Sequence, residues 1–293
     1  MSTDAQPKQF LISFHAITFL HPGTGQSTGA VDLPVQREVH TGFPMIASTG
    51  IKGSLRDKAE SSANFGNGTI RALFGGDPDS PGAGAVTVTD ARILAFPVRS
   101  LEEVFFWITC PMILKRLDRD RTLIGLPFES WPTFDIKEGK VTKHSKSSLE
   151  GTVTLEEIAL ETSVPESSDK AAEIIASLLN IENDFDQKRL LVVSDEDFKY
   201  FVKFATQISA RIKLNERKTT TGDGGNLWYE ETLPPETIFY SLGLCNRPRV
   251  ANGSIKKPAD VFEYLKTLLE DKYIQLGGNE TVGQGWCSVK LIP

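Results

Sequence analysis

The stretch FLISFHAITFL, residues 10–20, runs directly into HPGTG, residues 21–25. β-Branched and aromatic residues occupy both faces of the first stretch, which indicates a buried β-strand. The loop that follows continues through Gly29 and Asp32 to Pro44 without a helical or an alternating pattern. A structureless segment of this length in a compact domain is usually functional or disordered. The sequence therefore predicts a strand that leads into a functional loop.

A helix with two cations on one side is predicted after this loop. Ser48 or Thr49 is in position to cap it. Its apolar face consists of Ile51, Leu55 and Ala59. Lys52 and Arg56 lie one turn apart on a neighbouring face, because residues four apart are neighbours on a helix. These cations either face one partner or belong to an ordinary solvated surface.

Further strands and helices are indicated along the rest of the chain. Strands are predicted at residues 86–94 and onward to about 114, in a hairpin at 135–161, and at 211–214 and 228–239. Helices are predicted at 167–179 and at 261–269. Ser194 and Asp197 form a capping-box pattern before a helical stripe. That stripe consists of Phe198, Phe201, Val202, Ala205 and Ile208. The chain closes with a strand that presents Cys287, Val289 and Leu291 on one face.

Composition narrows the class of protein. The 293 residues are 40% hydrophobic and 24% charged, which allows one elaborated domain or two. No apolar run approaches the roughly 20 residues needed to cross a bilayer, and residues 1–9 are polar, so we expect a cytoplasmic protein without a membrane partner. The cysteines, Cys110, Cys245 and Cys287, form no CxxC pair, so neither a disulfide framework nor a zinc site is indicated, and we expect them in the core.

The net charge of −6, from 32 basic and 38 acidic residues, argues against a protein that coats nucleic acid indiscriminately. Any RNA binding must therefore be local. Acidic residues cluster within 181–198, whereas basic residues gather at 37–58 and at 211–218.

Two glycine-rich segments do not fit nucleotide-binding loops. Gly278 and Gly283 have P-loop spacing but are followed by Gln284, Gly285 and a strand, without the lysine and helix of that motif. Gly23 and Gly25 follow a strand but do not lead into the helix that a dinucleotide fold requires. The remaining alternatives are a backbone that approaches a polymer closely and simple tight turns.

Taken together, HPGTG at 21–25, VDLPVQRE at 31–38 and GIKG at 50–53 resemble the RAMP superfamily, and within it the backbone subunit of the Cmr-type, type III-B CRISPR complex. The likeness covers essentially the whole chain. It continues through LFG at 73–75, DAR at 90–92, residues 191–198, EETLP at 230–234 and residues 277–285.

The resemblance implies an α+β fold: a modified RRM-like, ferredoxin-like palm within a single domain over residues 1–293. It also implies a catalytic loop at 21–48, a helical or irregular insertion at about 135–190, and a projecting β-hairpin thumb at about 215–228. Such a subunit would stack with copies of itself along a CRISPR guide RNA and would contact other subunits of the Cmr-type complex. The thumb would displace bases of the guide–target duplex at regular intervals.

Members of this family cleave single-stranded target RNA with an aspartate in the early loop, which corresponds to Asp32. A lone carboxylate could hold Mg²⁺ or Mn²⁺ shared with RNA, or orient a ribose 2′-hydroxyl. His21 could donate a proton to the leaving oxygen or hold the loop. Arg37 could neutralise the scissile phosphate or pair with Glu38. Without the resemblance, Asp32 would be read as a turn residue.

The residues expected to bind RNA are Lys52, Gly53, Arg56, Thr220, Thr221, Trp228, Gly277, Gly278, Gly283 and Gly285. Lys52 and Arg56 would contact the guide backbone, while base pairing supplies sequence specificity. Trp228 would stack on a base or pack the root of the thumb. The leading hypothesis is a metal-dependent, guide-directed endoribonuclease. The alternatives are a scaffold subunit without catalysis and a metal-independent, guide-processing ribonuclease.

Overall fold

A computed structural model describes residues 6–27, 29–76, 81–126, 133–162, 167–180, 185–214, 218–219, 227–249 and 255–293. Within these ranges the chain combines one large mixed sheet with two small hairpins and six helices. The helices are α1 Ser48–Glu60, α2 Asn67–Phe74, α3 Pro111–Leu123, α4 Asp169–Ser177, α5 Asp195–Phe204 and α6 Pro258–Leu268. No helix in the described ranges is long and apolar enough to cross a membrane.

Four long strands form the centre of the large sheet. They are β1 Lys8–Ala16, β4 Ala91–Arg99, β12 Ile238–Cys245 and β14 Trp286–Ile292. They lie in the order β14-β1-β12-β4, and each neighbouring pair is antiparallel. Phe14 of β1 lies opposite Phe239 on one side and Val289 on the other, so the apolar residues of three strands share one face. The predicted strand at residues 10–20 is confirmed, although it ends at Ala16.

Shorter strands extend this centre on both sides. They are β2 Met45–Ile46, β3 Val86–Val88, β5 Phe105–Thr109, β6 Val141–Thr142, β9 Leu190–Val193 and β13 Tyr273–Gln275. β5, β9 and β6 continue the sheet beyond β4, β13 lies outside β14, and β2 and β3 pair with β4 and β12 respectively. The β5–β9 pair is parallel, which makes the sheet mixed.

Helices α1 and α6 carry the apolar faces that the periodicity predicts. Ile51, Leu55 and Ala59 of α1 are buried. Phe262 of α6 contacts Phe10 of β1 with ring centroids 6.0 Å apart. Burying such a stripe against a sheet provides most of the stability of a helix of this length.

The predicted cap of α1 is wrong, because the helix begins at Ser48 and its N-cap is Ala47, which has no side-chain oxygen. The carboxylate of Asp90 accepts the amide proton of Ser48 at 2.7 Å instead. A residue 42 positions away in sequence therefore replaces the local cap.

Helix α3 occupies residues for which strands were predicted up to about residue 114, so that prediction is wrong from Pro111 onward. Pro111 stands at the first helical turn, where its missing amide proton costs nothing. Many charged residues follow Ile113 and Leu114, and they hide the apolar stripe that Leu117 completes.

The described residues of the segment at 135–190 pack against the sheet. This segment contains β6, the hairpin β7 Thr152–Leu155 and β8 Ile158–Glu161, and α4. The Ser13 hydroxyl of β1 donates to the carbonyl of Leu178, and Lys290 of β14 donates to the carbonyls of Ser177 and Leu179 at 2.8 and 3.0 Å. These contacts cover one face of β1 and β14 with the chain itself.

The capping prediction for α5 is confirmed, because the Ser194 hydroxyl accepts the amide proton of Asp197 at 3.0 Å. The helix ends at Phe204, so Ala205 and Ile208 of the predicted stripe lie beyond it. Ile208 belongs to β10, Gln207–Ile212, which pairs with β11, Leu227–Thr232. The strand predicted at 228–239 is interrupted at Pro234 and Pro235, because proline has no amide proton for the sheet.

All three cysteines are buried, as expected. Burial raises the pKa of the Cys287 thiol to about 12, which favours its neutral form.

Candidate active site

The early loop lies alongside β11 as if it were an additional strand. The Leu33 amide donates to the carbonyl of Tyr229 at 3.0 Å, and the Glu231 amide donates to the carbonyl of Leu33 at 3.0 Å. These bonds hold the predicted catalytic loop against the strand that leads out of the predicted thumb. Asp32 consequently stands at the point where the loop meets the beginning of β11.

One oxygen of the Asp32 carboxylate is fixed by the protein. Oδ2 accepts the amide proton of Tyr229 at 2.7 Å, and the backbone carbonyl of Asp32 accepts the amide proton of Ser27 at 2.8 Å. Within the described part of the chain, Oδ1 accepts no hydrogen bond. Asp32 is half-buried and borders an open pocket of about 430 Å³. The carboxylate is therefore oriented by the backbone and keeps one oxygen available to a ligand.

Glu231 connects three separate parts of the site, and the sequence analysis gave it no role. Its Oε2 accepts the amide proton of Val35 at 3.0 Å, while Oε1 accepts protons from Arg37 at 2.6 Å and from the Thr206 hydroxyl at 2.9 Å. Its side chain is only 9% exposed. A buried carboxylate with three donors is well satisfied, so Glu231 stabilises the loop beside β11.

Arg37 is committed to contacts inside the protein. It pairs with Glu231, and its other guanidinium nitrogen donates to the carbonyls of Gly42 and Val202, each at 3.0 Å. The predicted alternative of an Arg37–Glu38 pair is wrong, because Glu38 binds Arg116 of α3 at 2.8 Å. The side chains of that second pair are only 13% and 12% exposed, so α3 holds the far end of the loop.

His21 is buried at the start of the loop. Its Nδ1 contacts the carbonyl of Glu231 at 2.7 Å, and because a carbonyl only accepts, Nδ1 must donate. The carbonyl of His21 accepts the amide protons of Gly23 at 3.0 Å and Gly278 at 2.9 Å. These contacts agree with the alternative in which His21 holds the loop, while proton donation stays a prediction.

The C-terminal glycines pack against the same loop. Gly277 and Gly285 have positive φ, and a Cβ there would lie 2.5 Å from the carbonyl oxygen of His21 and 2.1 Å from that of Leu276, respectively. The amides of Gly278, Gly283 and Gly285 donate to His21, Glu280 and Phe19. Tight packing inside the chain therefore accounts for Gly277 and Gly285, and the RNA contacts of all four glycines stay a prediction.

The predicted cations of α1 lie near each other, and both are beside Gly75. Lys52 lines an open pocket with Gly75 and Gly84, and its pKa is lowered first by burial and second by the nearby Arg56 charge. Arg56 forms an ion pair with Glu60 at 2.7 Å and donates to the carbonyl of Gly75 at 3.4 Å. Gly53 is exposed, and a Cβ at that position would meet no atom within 4 Å.

The predicted thumb is described only at its root. Thr220, Thr221 and most of 215–228 lie outside the described residues. β10 and β11 form the two-stranded ribbon on either side of them, and Trp228 stands opposite Arg211 in the register of that ribbon. Trp228 is half-buried and lines the same pocket as Asp32.

The acidic residues of the site do not form a metal cage, since the described residues contain no group of three or more histidine, cysteine or carboxylate side chains that could hold an ion. Mg²⁺ commonly keeps several waters and uses only one or two protein carboxylates together with substrate phosphate. The free Oδ1 of Asp32 at an open pocket fits this arrangement. A divalent ion here would be shared with a ligand.

Comparisons with known proteins agree with the sequence motifs. A family model for the RAMP superfamily matches residues 13–288. The CRISPR system Cmr endoribonuclease Cmr4 of Pyrococcus furiosus is 35% identical, over 97% of this chain and 96% of the relative. The CRISPR system CMR subunit Cmr4 of Saccharolobus solfataricus is 28% identical, over 95% of this chain and 94% of the relative.

Solved structures agree as well. The crystal structure of oligomeric Cmr4 from Pyrococcus furiosus has a TM-score of 0.74 and 29% identity, over 97% of this chain and 98% of that chain. The family match spans both the early loop and the C-terminal glycines that pack on it. The chain belongs to the RAMP superfamily.

Proposed function

We propose that this chain is a repeated backbone subunit of a type III-B CRISPR ribonucleoprotein, which binds guide RNA and cleaves complementary target RNA at regular intervals with Mg²⁺ or Mn²⁺. The 35% identical relative bears the name of a CRISPR endoribonuclease, which supports the class of activity. The observation that carries the proposal is the geometry of Asp32, which borders an open pocket and whose carboxylate has one oxygen fixed and one oxygen without a hydrogen bond among the described residues.

Asp32 has a defined part in this chemistry. Its fixed oxygen sets the direction of the carboxylate before substrate arrives, which reduces the entropy lost in reaching a reactive arrangement. Its free oxygen can orient the 2′-hydroxyl of the target ribose or hold water bound to a divalent ion. A divalent ion, when bound, supplies positive charge for the reacting phosphate. Glu231, Arg37 and Arg116 keep the loop in place from opposite ends.

RNA binding is assigned to local surfaces, because the chain as a whole is acidic. Lys52 and Arg56 of α1 would contact the phosphates of the guide, with Gly53 leaving room for the RNA backbone.

We infer that the sheet β14-β1-β12-β4, with α1 and α6, corresponds to an RRM-like palm. RNA would not reach the face that Leu178 and its neighbours cover. Copies of this chain and other subunits of a Cmr-type complex would be its partners, in the cytoplasm.

Two alternative functions would assign different roles to Asp32 and His21. In a scaffold subunit without catalysis, Asp32 would serve only to bind the Tyr229 amide. In a metal-independent nuclease, an exposed histidine or lysine would perform acid–base chemistry, but His21 is 7% exposed and bonded to the Glu231 carbonyl. These contacts favour the proposal over a mechanism centred on His21.

The test compares wild-type and Asp32→Asn subunits in assembled complexes that contain the guide. Asparagine can still accept the Tyr229 amide proton but lacks the charge. We expect loss of the regularly spaced cuts in Mg²⁺ with target affinity unchanged. Glu157→Gln, at a side chain that is 86% exposed, provides a control that should cut normally. Unchanged cutting by Asp32→Asn would contradict the proposal and favour the scaffold.

A further inference from the structure

The C-terminal glycine segment, residues 277–285, contacts two parts of the candidate active site. Two of its backbone amides donate to the carbonyls of His21 at 2.9 Å and Phe19 at 2.8 Å, where the chain enters the early loop. The side chain of Asn279 extends to β11 instead, where its Nδ2 donates to the carboxylate of Glu230. The segment therefore holds both the early loop and the strand against which that loop lies.

Asn279 is itself fixed in this direction. Its φ of 64° lies in the left-handed region, which asparagine tolerates better than most residues with a side chain. The same Nδ2 also donates to Oε1 of Gln284 at 2.9 Å. One amide proton is thus used within the segment and the other on β11. The side chain is therefore a preoriented donor for Glu230.

The Glu230 carboxylate depends on that donor. Its side chain is 3% exposed, and a buried carboxylate requires hydrogen-bonded partners. Among the described residues its one other partner is Arg211, whose guanidinium nitrogen lies 3.6 Å away, beyond the distance of a good hydrogen bond. Without Asn279, the Glu230 side chain would have to move toward water or toward Arg211.

Such a movement would reach the reactive carboxylate through the backbone. The residue directly before Glu230 is Tyr229, whose amide holds Asp32 Oδ2 at 2.7 Å. Consecutive Cα atoms are about 3.8 Å apart, so the two residues cannot move independently. Leu33 also bonds to the carbonyl of Tyr229 and to the amide of Glu231, on either side of Glu230. A shift of this short stretch of β11 would therefore turn the Asp32 carboxylate.

We infer that Asn279 is a positioning residue for cleavage of the target: through Glu230 it fixes the Tyr229 amide, and thereby the direction of Asp32. The inference rests on the proposed function and adds to it a residue from the other end of the chain. In this scheme Asn279 contacts neither the reacting groups nor the target. Its loss should therefore slow the cut without weakening the binding of the target.

The test uses assembled complexes that contain the guide and either wild-type or Asn279→Asp subunits. Aspartate keeps the size of the side chain but replaces the donor with a second carboxylate beside Glu230. We expect the single-turnover rate at saturating target to fall roughly a hundredfold, as when a reacting group is misplaced by about 1 Å. The target concentration that gives half of the maximal rate should not change. Asn64→Asp adds the same charge at an exposed asparagine and should cut at the wild-type rate.

Two further variants separate positioning from a general loss of structure. Asn279→Gly accepts the left-handed backbone and removes only the amide, so it should also slow the cut with unchanged half-saturation. The double variant Asn279→Asp with Glu230→Gln reverses the polarity of the contact. Its glutamine can donate to the new carboxylate, and the Gln284 amide can turn to do the same. The double variant should therefore cut at least roughly tenfold faster than Asn279→Asp alone, because the orientation of Asp32 is restored.

Wild-type rates in both Asn279→Asp and Asn279→Gly would overturn the inference. A loss explained entirely by weaker target binding, or no recovery in the double variant, would overturn it as well. Asp32→Asn is measured in parallel. If Asp32→Asn abolishes the cuts while the Asn279 variants cut normally, this inference fails and the proposed function stands, whereas normal cutting by Asp32→Asn contradicts the proposed function itself.

Discussion

Glu231→Gln should destabilise the protein strongly although it preserves size and shape. All three groups around this carboxylate are donors: the Val35 amide, the Arg37 guanidinium and the Thr206 hydroxyl. A glutamine carries its own NH₂ donor, and only the hydroxyl can rotate to accept from it. Either orientation of the amide therefore directs a donor at the Val35 amide or at Arg37.

The size of the expected stability loss follows from the burial of the Glu231–Arg37 ion pair. Removing one partner of a buried ion pair costs about 3–5 kcal/mol. Arg37 is 22% exposed and keeps two carbonyl partners, so we expect the lower end, about 3 kcal/mol of unfolding free energy. Urea denaturation of the purified subunit, followed by circular dichroism, measures this loss.

The control is Glu60→Gln, where the side chain is 47% exposed and pairs with Arg56 along one helix. Such a surface pair contributes about 0.5 kcal/mol or less. If Glu231→Gln lowers the unfolding free energy no more than Glu60→Gln does, Glu231 does not hold the loop as argued.

Two further predictions concern backbone conformation and pH. Gly285→Ala should unfold at a clearly lower urea concentration than Gly283→Ala. Both glycines have positive φ, but of the two only residue 285 would have a colliding Cβ, 2.1 Å from the Leu276 carbonyl oxygen. Equal urea midpoints would contradict the packing argument. Burial raises the pKa of Asp118 to about 6, against a weaker opposing effect of Arg121. Since its folded pKa lies above the unfolded value, Asp118 costs stability as pH rises from about 4 through 6. Asp118→Asn should therefore raise the denaturation midpoint more at pH 7.5 than at pH 4.5, and a gain of the same size at both values would refute this assignment.

Local patterns in the sequence were sufficient to predict the helices whose buried residues recur at helical spacing. Residues three or four positions apart form the apolar stripes of α1 and α6 and the Ser194 cap of α5, so a short window of sequence contains them. Helix α3 was not predicted, because charged residues interrupt its apolar stripe. Its Asp120 is also charged, so the sequence suggests an exposed position, whereas the carboxylate is buried and accepts hydrogen bonds from Tyr240 and Arg92 on the sheet.

The site was only partly predictable for a different reason. The resemblance identified Asp32, but what orients it is the Tyr229 amide, 197 residues later in the chain. Arg37 and Glu231 are 194 residues apart, so no local spacing could distinguish their pairing from an Arg37–Glu38 contact. One signal in the sequence could have indicated the role of Glu231. It is the presence of two adjacent glutamates, Glu230 and Glu231, in a predicted strand, since a buried carboxylate requires hydrogen-bond donors nearby.

The most direct test of the central claim uses complexes assembled from mixtures of wild-type and Asp32→Asn subunits with one guide. If each copy cuts the target once, the number of cuts per target should fall in proportion to the variant fraction. The surviving cuts should keep the wild-type spacing, and no cutting should remain when every copy is the variant. Cuts that persist at the full rate and at every position in complexes made only of Asp32→Asn subunits would contradict the account.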